Sequence, residues 1–191
     1  MSSNSVTDAI RSRRSVREFT DKPVGNDQLS DWLEAACWAP NHHLTEPWRF
    51  IVLEHGGAKR REIAEMFRLL SYETSDQLPE PKRTAVADAA REEVLSAPAF
   101  VYAYSLIDDD EEVTKENYAA TACAVQNLSL AAHADGFAVG WSTGRVTRLP
   151  GLASTIGADE SWDMIAGLFI GEPERVPRAQ RQPMEEVVTW L

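Results

Sequence analysis

Residues 115–141 read KENYAATACAVQNLSLAAHADGFAVGW, a long alanine-rich run that pauses at Gly136 and resumes as a short apolar segment. Within it Tyr118, Ala122, Val125, Leu128 and Ala132 recur at helical spacing on one stripe, which predicts a helix from Lys115 to Ala134. The many alanines allow other elements to approach closely, so this is the expected central helix. Gly136 to Trp141 then reads as a glycine-bounded strand.

Working outward, three more segments have strand length and strand composition. Trp48–Leu53 is aromatic and β-branched, Ala99–Tyr104 is continuously apolar, and Trp162–Ile170 runs until Gly171 and Pro173 stop it. Helices are expected over Val6–Arg14, from an Asn26 cap through Leu29, Trp32, Leu33 and Ala36, through Ile63, Met66, Phe67 and Leu70, and over Thr84–Leu95. The polar, proline-bearing stretch Ser71–Lys82 reads as a mobile surface segment, and Asp108–Glu112 as a solvated turn. The last part of the chain is proline-punctuated and has no helical stripe.

Strands and helices intermingle without a strict βαβα alternation, which predicts an α+β fold with a mixed sheet flanked by helices. No Gly/Ser/Pro linker separates two cores, so residues 1–191 are expected to form a single domain. With 43% hydrophobic and 26% charged residues, the chain has ordinary globular composition. A net charge of -11 opposes binding to nucleic-acid phosphates or anionic membranes, so neither is an expected partner. No apolar run approaches the roughly 20 residues of a bilayer span. Met1–Asp8 is polar, so a cytoplasmic protein is expected. Cys37 and Cys123 lack metal-type spacing and are expected to be small buried residues.

Four clusters could carry chemistry. Arg11-Ser12-Arg13-Arg14-Ser15-Val16-Arg17 is a local positive site in an acidic chain. Its guanidinium forks beside hydroxyls suit a phosphate, although helix-end cations would look the same. Arg178 and Arg181 form a second basic pair that could converge with the first. Ala39–Trp48 is a proline-bracketed loop holding His42 and His43; adjacent histidines do not make a metal site, and no metal is expected. Gly140-Trp141-Ser142-Thr143-Gly144 is a glycine-bracketed turn where backbone N–H groups can approach a planar ligand. The P-loop and G-x-G-x-x-G patterns are absent from the sequence; the Gly140–Gly144 turn carries the letters of G-x-S-x-G but is not read as a nucleophile elbow, since serine, histidine and aspartate are too common here to single out a triad.

In this order the clusters resemble the nitroreductase family over nearly the whole chain. Arg13-Arg14-Ser15-Val16-Arg17-Glu18-Phe19 is similar to the family's R-R-S-x-R-x-F opening. Ala39-Pro40 through Pro47-Trp48-Arg49-Phe50 is similar to its A-P-S-x-x-N-x-Q-P-W-x-F loop, with Asn41, Leu44 and Glu46 where Ser, Asn and Gln are common. Ala124–Leu128 with Gly136-Phe137, the Gly140–Gly144 turn and the tail Pro177–Val188 follow in family order.

The resemblance implies a mainly antiparallel sheet in an intertwined homodimer and FMN as cofactor. It implies NADH or NADPH as hydride donor and a small electron-poor acceptor such as a nitroaromatic or a quinone. It assigns Arg13, Arg14, Ser15, Arg17, Arg178 and Arg181 to the phosphate and ribityl chain. Trp141, Ser142, Thr143 and Gly144 would lie along the ring, with the Gly144 N–H toward flavin N5, while Trp38 and His42 would face the flavin held mainly by the other subunit. No catalytic side chain is implied, because the flavin carries the chemistry. Within the same resemblance, reductive dehalogenation would need a lid, for which Ser71–Lys82 is the candidate. A flavin-binding protein without turnover is the alternative outside catalysis.

Overall fold

The computed structural model describes residues 5–191, so the first four residues of the polar N-terminus lie outside it. Its elements are α1 (Ser5–Ser12), α2 (Asn26–Cys37), β1 (Trp48–Leu53), α3 (Ala58–Glu73), α4 (Glu80–Ser96), β2 (Ala99–Leu106), α5 (Glu111–Ala134), β3 (Ala138–Ser142), α6 (Leu152–Ile156) and β4 (Trp162–Gly171). The strands form one sheet in the order β1-β2-β4-β3. Every pairing among them is antiparallel. The α+β class therefore holds, without a parallel pair among the described residues.

β2 is buried along nearly its whole length because helices cover both faces of the sheet. Val101 and Ala103 point into a cluster with Trp32 and Ala36 of α2 and Val125 and Leu128 of α5. Phe100, Tyr102 and Tyr104 alternate to the other face, against Ile63 and Phe67 of α3 and Val94 of α4. The result is a three-layer sandwich of α2 and α5, the sheet, and α3 and α4. Burying a leucine such as Leu128 completely contributes about 1.5–3 kcal/mol.

Helix α5 starts earlier than its stripe predicts, because Asp110 caps it by accepting from the Glu112 N–H at 2.8 Å. The acidic turn is thus partly the first turn of the helix. The buried stripe is also rotated from expectation: Ala120, Thr121, Ala124, Val125, Leu128 and Ala132 face inward, whereas Tyr118 is exposed. The helix packs on α2 as well as on the sheet, and small alanines on both sides blur which face is inner. Cys37 and Cys123, expected to be buried, are exposed, because both lie on faces that this chain leaves uncovered.

Residues 71–82 are not a mobile segment. Ser71–Glu73 completes α3 and Glu80 opens α4, leaving only a turn between two packed helices. Tyr72 Oη donates to Glu80 Oε1 at 2.9 Å, and Arg83 Nε donates to the Tyr72 carbonyl at 2.7 Å while its guanidinium lies 3.7 Å from the Tyr72 ring centroid. Buried Arg60 ties α3 to the end of α4 by donating through Nε to the Val94 carbonyl at 2.8 Å and through Nη2 to the Ala97 carbonyl. Those carbonyls are the ones a helix C-terminus leaves unpaired. The Asn26 side chain does not cap α2, whose N-cap is Gly25.

After β4 the chain is irregular apart from one turn at Met184–Glu186, and every residue from Glu174 onward is exposed. No helix of the described residues is long and apolar enough to cross a membrane.

Candidate flavin site

Helix α1 stops at Ser12, so Arg13 and Arg14 stand at the point where the chain leaves the helix. Arg14 Nη1 donates to the carbonyls of Arg11 and Arg13 at 2.6 and 2.7 Å. The Nε atoms of Arg13 and Arg14 are nonetheless both buried without an acceptor. Neither guanidinium has a carboxylate partner among the described residues, although Arg17, Arg68, Arg91 and Arg175 do. Burial holds the Arg13 pKa below the ordinary arginine value, reinforced by the charges of Arg14 and Arg181. Arg181, far away in the chain, is therefore brought to the cluster, whereas Arg178 is exposed and bonded to nothing described. Buried donors among uncompensated cations define a place that an anion would complete.

The segment continues without a regular element until it meets the end of the sheet. Phe19 bridges to Pro173, and the Thr20 N–H donates to the Glu172 carbonyl at 2.9 Å. Val16 and Arg17 cross β3 at Gly140, where an added Cβ would stand 2.3 Å from the Val16 carbonyl oxygen and 2.6 Å from Arg17 Cδ. Only glycine permits that approach. Arg17 pairs with Glu93 of α4 and places its guanidinium 4.4 Å from the Phe169 ring centroid. Ser15 and Arg17 line one shallow cavity of about 180 Å³; Arg14, His133, Phe137 and Pro173 line another of about 200 Å³.

Past Gly140, Trp141 is half-buried, Ser142 is buried, and Thr143 and Gly144 are exposed. The Gly144 N–H makes only a long bond, 3.3 Å, to Ser142 Oγ. A strong acceptor placed nearby would displace that contact readily.

The proline-bracketed loop lies elsewhere. Thr45 Oγ1 donates to Asn117 Oδ1 at 2.7 Å, Asn117 Nδ2 donates to the Leu106 carbonyl at 3.2 Å, and the Glu46 N–H donates to Asn41 Oδ1 at 3.0 Å. His43, Leu44 and Glu46 all adopt positive φ, 57°, 54° and 43°, each costing about 1–2 kcal/mol for a non-glycine residue. His42 Nδ1 lies 2.8 Å from Glu116 Oε2. Glu116 and Asn117 are thus site residues that no local pattern marks, since the fold brings them from the start of α5. Ligand atoms of His42, His43 and Glu116 lie within 4.8 Å of one another. The two imidazoles are stacked, centroids 3.8 Å apart, so their in-plane lone pairs run side by side and do not converge on one ion.

The loop and the arginine cluster sit at opposite ends of α5. Glu116 holds the one and His133 adjoins the other, roughly 25 Å apart at the helical rise of about 1.5 Å per residue. One chain does not bring His42 to the same place as Arg13 and Arg14, whose charges act on His133. Trp38 and Leu44 are 81% and 82% exposed. A cavity of about 620 Å³ around Tyr104, Leu149, Leu152 and Trp162 holds none of the sequence-predicted residues. The two cavities at the cluster are smaller than the roughly 300–1,000 Å³ of a typical cofactor pocket, so the cluster is an open cradle that another surface would complete.

A model of the nitroreductase family matches residues 10–172. The chain is 30% identical over 187 residues to the Bacillus subtilis protein named "Putative NAD(P)H nitroreductase YfhC", covering 97% of this chain and 94% of that one. Among solved structures, a nitroreductase-like family protein from Bacillus cereus aligns with a TM-score of 0.83 at 29% identity over 100% of this chain and 98% of its own. A protein from Desulfovibrio desulfuricans solved in complex with FMN aligns with a TM-score of 0.75 at 25% identity, over 100% and 98% of the two chains.

Proposed function

The chain belongs to the nitroreductase family, and on that premise we propose that it is an FMN-dependent oxidoreductase that moves hydride from NADH or NADPH to a small electron-poor acceptor, such as a nitroaromatic or a quinone. The observation that carries the reading is the pair of buried, acceptorless Nε groups on Arg13 and Arg14 with Arg181 beside them. FMN, when bound, would supply the redox chemistry of hydride transfer.

In this reading Arg13, Arg14 and Arg181 hold the phosphate, joined by Arg178 of the tail. Ser15 serves the ribityl chain, and Arg17, positioned by Glu93 and Phe169, stands toward the ring. Trp141, Ser142, Thr143 and Gly144 form the floor, and the weakly engaged Gly144 N–H is the donor toward developing negative charge on the reduced ring. No side chain is needed as acid or base, because a proton can reach the acceptor from solvent.

The protein works as a homodimer in this proposal. His42 reaches the flavin of the opposite subunit, since its own arginine cluster lies at the far end of α5, and Trp38 joins it there. Exposed apolar groups on this loop and on the tail, where Trp190 is 84% exposed, provide the surface that a second copy would cover. The candidate lid of residues 71–82 is the ends of α3 and α4 with a short turn between them, which favours an open acceptor site over a covered one suited to dehalogenation.

The test is the visible spectrum of the purified protein before and after anaerobic NADH and then NADPH. A flavin band that bleaches supports the proposal. A band that persists with both donors points to flavin binding without this turnover. A colourless protein that stays colourless after FMN is added overturns the flavin reading.

A further inference from the structure

The last turn of α5 carries a group that the flavin reading leaves unused. His133 Nε2 lies 2.7 Å from Ser12 Oγ, and that same hydroxyl donates to the Asp8 carbonyl at 2.7 Å. A serine hydroxyl has one hydrogen. With that hydrogen on Asp8, His133 must donate through Nε2–H, and in the neutral ring Nδ1 is then the nitrogen free to take up a proton. The His133 ring has no other hydrogen-bond partner among the described residues.

The surroundings keep the ring neutral. Burial, followed by the charges of Arg13 and Arg14, holds the His133 pKa below the ordinary histidine value. Arg181 adds positive charge through its proximity to Arg13. On α1, Asp8 offers the Ser12 hydroxyl its backbone carbonyl. On α5's own end, Asp135 accepts from Trp32 Nε1 at 2.8 Å and so faces α2. The terminal carbonyls of α5 favour a cation here, but two adjacent guanidinium groups outweigh a partial charge. His133 also lines the same small cavity as Arg14.

We propose that His133 is a phosphate-recognition group, neutral in the flavin-free chain, that gains a proton at Nδ1 when a phosphate monoester dianion settles on Arg13, Arg14 and Arg181. The inference rests on the flavin reading for its ligand, the phosphate of FMN. A dianion reverses the local field, so protonating the ring adds a charge-assisted hydrogen bond where there was repulsion. The coupling has a diagnostic sign. Arginines alone would lower the second pKa of the phosphate, ordinarily about 6, and drive off its residual proton. With His133, binding near pH 7 takes a proton up.

The experiment is calorimetric titration of the flavin-free protein with FMN and with riboflavin at pH 7, in two buffers of different ionisation enthalpy, for the wild type and His133→Gln. Net proton uptake is expected with FMN on the wild type only, and none with riboflavin or with the variant. FMN affinity of the variant should fall about tenfold at pH 6.5 and by less at pH 8.5, with riboflavin affinity unchanged as the control for folding. FMN binding without buffer dependence, with net proton release, or with the uptake retained in His133→Gln overturns the proposal and leaves the flavin reading standing. Failure of FMN to bind the wild type overturns both.

Discussion

The backbone carbonyl of Val16 lies 2.3 Å from where a Cβ on Gly140 would stand, so the arginine-bearing segment and strand β3 touch main chain to main chain. This contact sets the distance between the cations that follow α1 and the turn at Gly144. Gly140→Ala must push the two backbones apart. We expect a loss of about 1–3 kcal/mol in stability, as for overpacked cores, together with weaker FMN binding. Thermal unfolding with and without FMN measures both, and a variant that melts and binds like the wild type would contradict the contact.

Arg13 and Arg14 are crowded cations without carboxylates, so they cost stability in the empty chain and return it only with an anion. Arg13→Ala and Arg14→Ala should each weaken FMN binding roughly 10–100-fold, the worth of a lost charge-assisted bond. Melting of the flavin-free protein should be unchanged or higher. A variant that lost flavin-free stability while keeping FMN affinity would make the cluster structural.

His133 gives the flavin-free protein a pH dependence whose sign can be worked out. Its folded pKa lies below the unfolded value of 6.5. Above pH 6.5 both states are neutral there and the group contributes nothing. As pH falls below 6.5 the unfolded chain takes the proton first, so stability drops until the pH passes beneath the folded pKa. Melting scans from pH 7.5 to 5 should show this decline in the wild type and less of it in His133→Gln. Equal slopes for the two proteins would count against a depressed pKa.

The separation of the loop from the arginine cluster along α5 predicts sites shared between subunits. Light scattering should give twice the chain mass of 21.2 kDa. Arg13→Ala and a loop variant such as His42→Ala, each impaired alone, should recover part of the flavin affinity when mixed and refolded, because one kind of site in the mixed dimer carries neither change. Absence of any recovery in a confirmed mixed dimer would place both groups in a site within one chain.

Arg60 closes the carbonyl end of α4 from inside the core, with burial lowering its pKa to about 10. Arg60→Met keeps much of the volume but leaves the Val94 and Ala97 carbonyls without a donor. We expect a loss of about 1–3 kcal/mol by denaturant unfolding, with FMN affinity intact. Unchanged stability would mean that shedding the buried charge offsets the bonds.

The α+β class, the four strands and the long helices could be read from residue order because each depends on periodicity over a few neighbours. Trp48–Leu53 and Ala99–Leu106 are strands wherever such runs pack between layers. Errors arose where several partners compete for one segment. Tyr118 shares the spacing of Val125 and Leu128 yet faces outward, because alanines on two sides of α5 let α2 and the sheet choose its inner face. Cys37 and Cys123 are small enough for a core, but this chain puts nothing over them. Residues 71–82 look like a loop by composition, yet α3 and α4 extend almost to meet, tied by Tyr72, Glu80 and Arg83.

By itself the sequence determined the order of elements, the acidic character and the basic motif at Arg13–Arg17 whose family resemblance names a cofactor, all of which are local or additive properties of residues. Only the tertiary structure decided that Arg181 approaches Arg13, that Glu116 holds His42, that His133 joins Ser12 and that the loop and the arginine cluster stand at opposite ends of one helix. Electrostatic and hydrogen-bonding partners act across a few ångströms of space whatever their separation along the chain, so these meetings exist only once the sheet and α5 have set the distances.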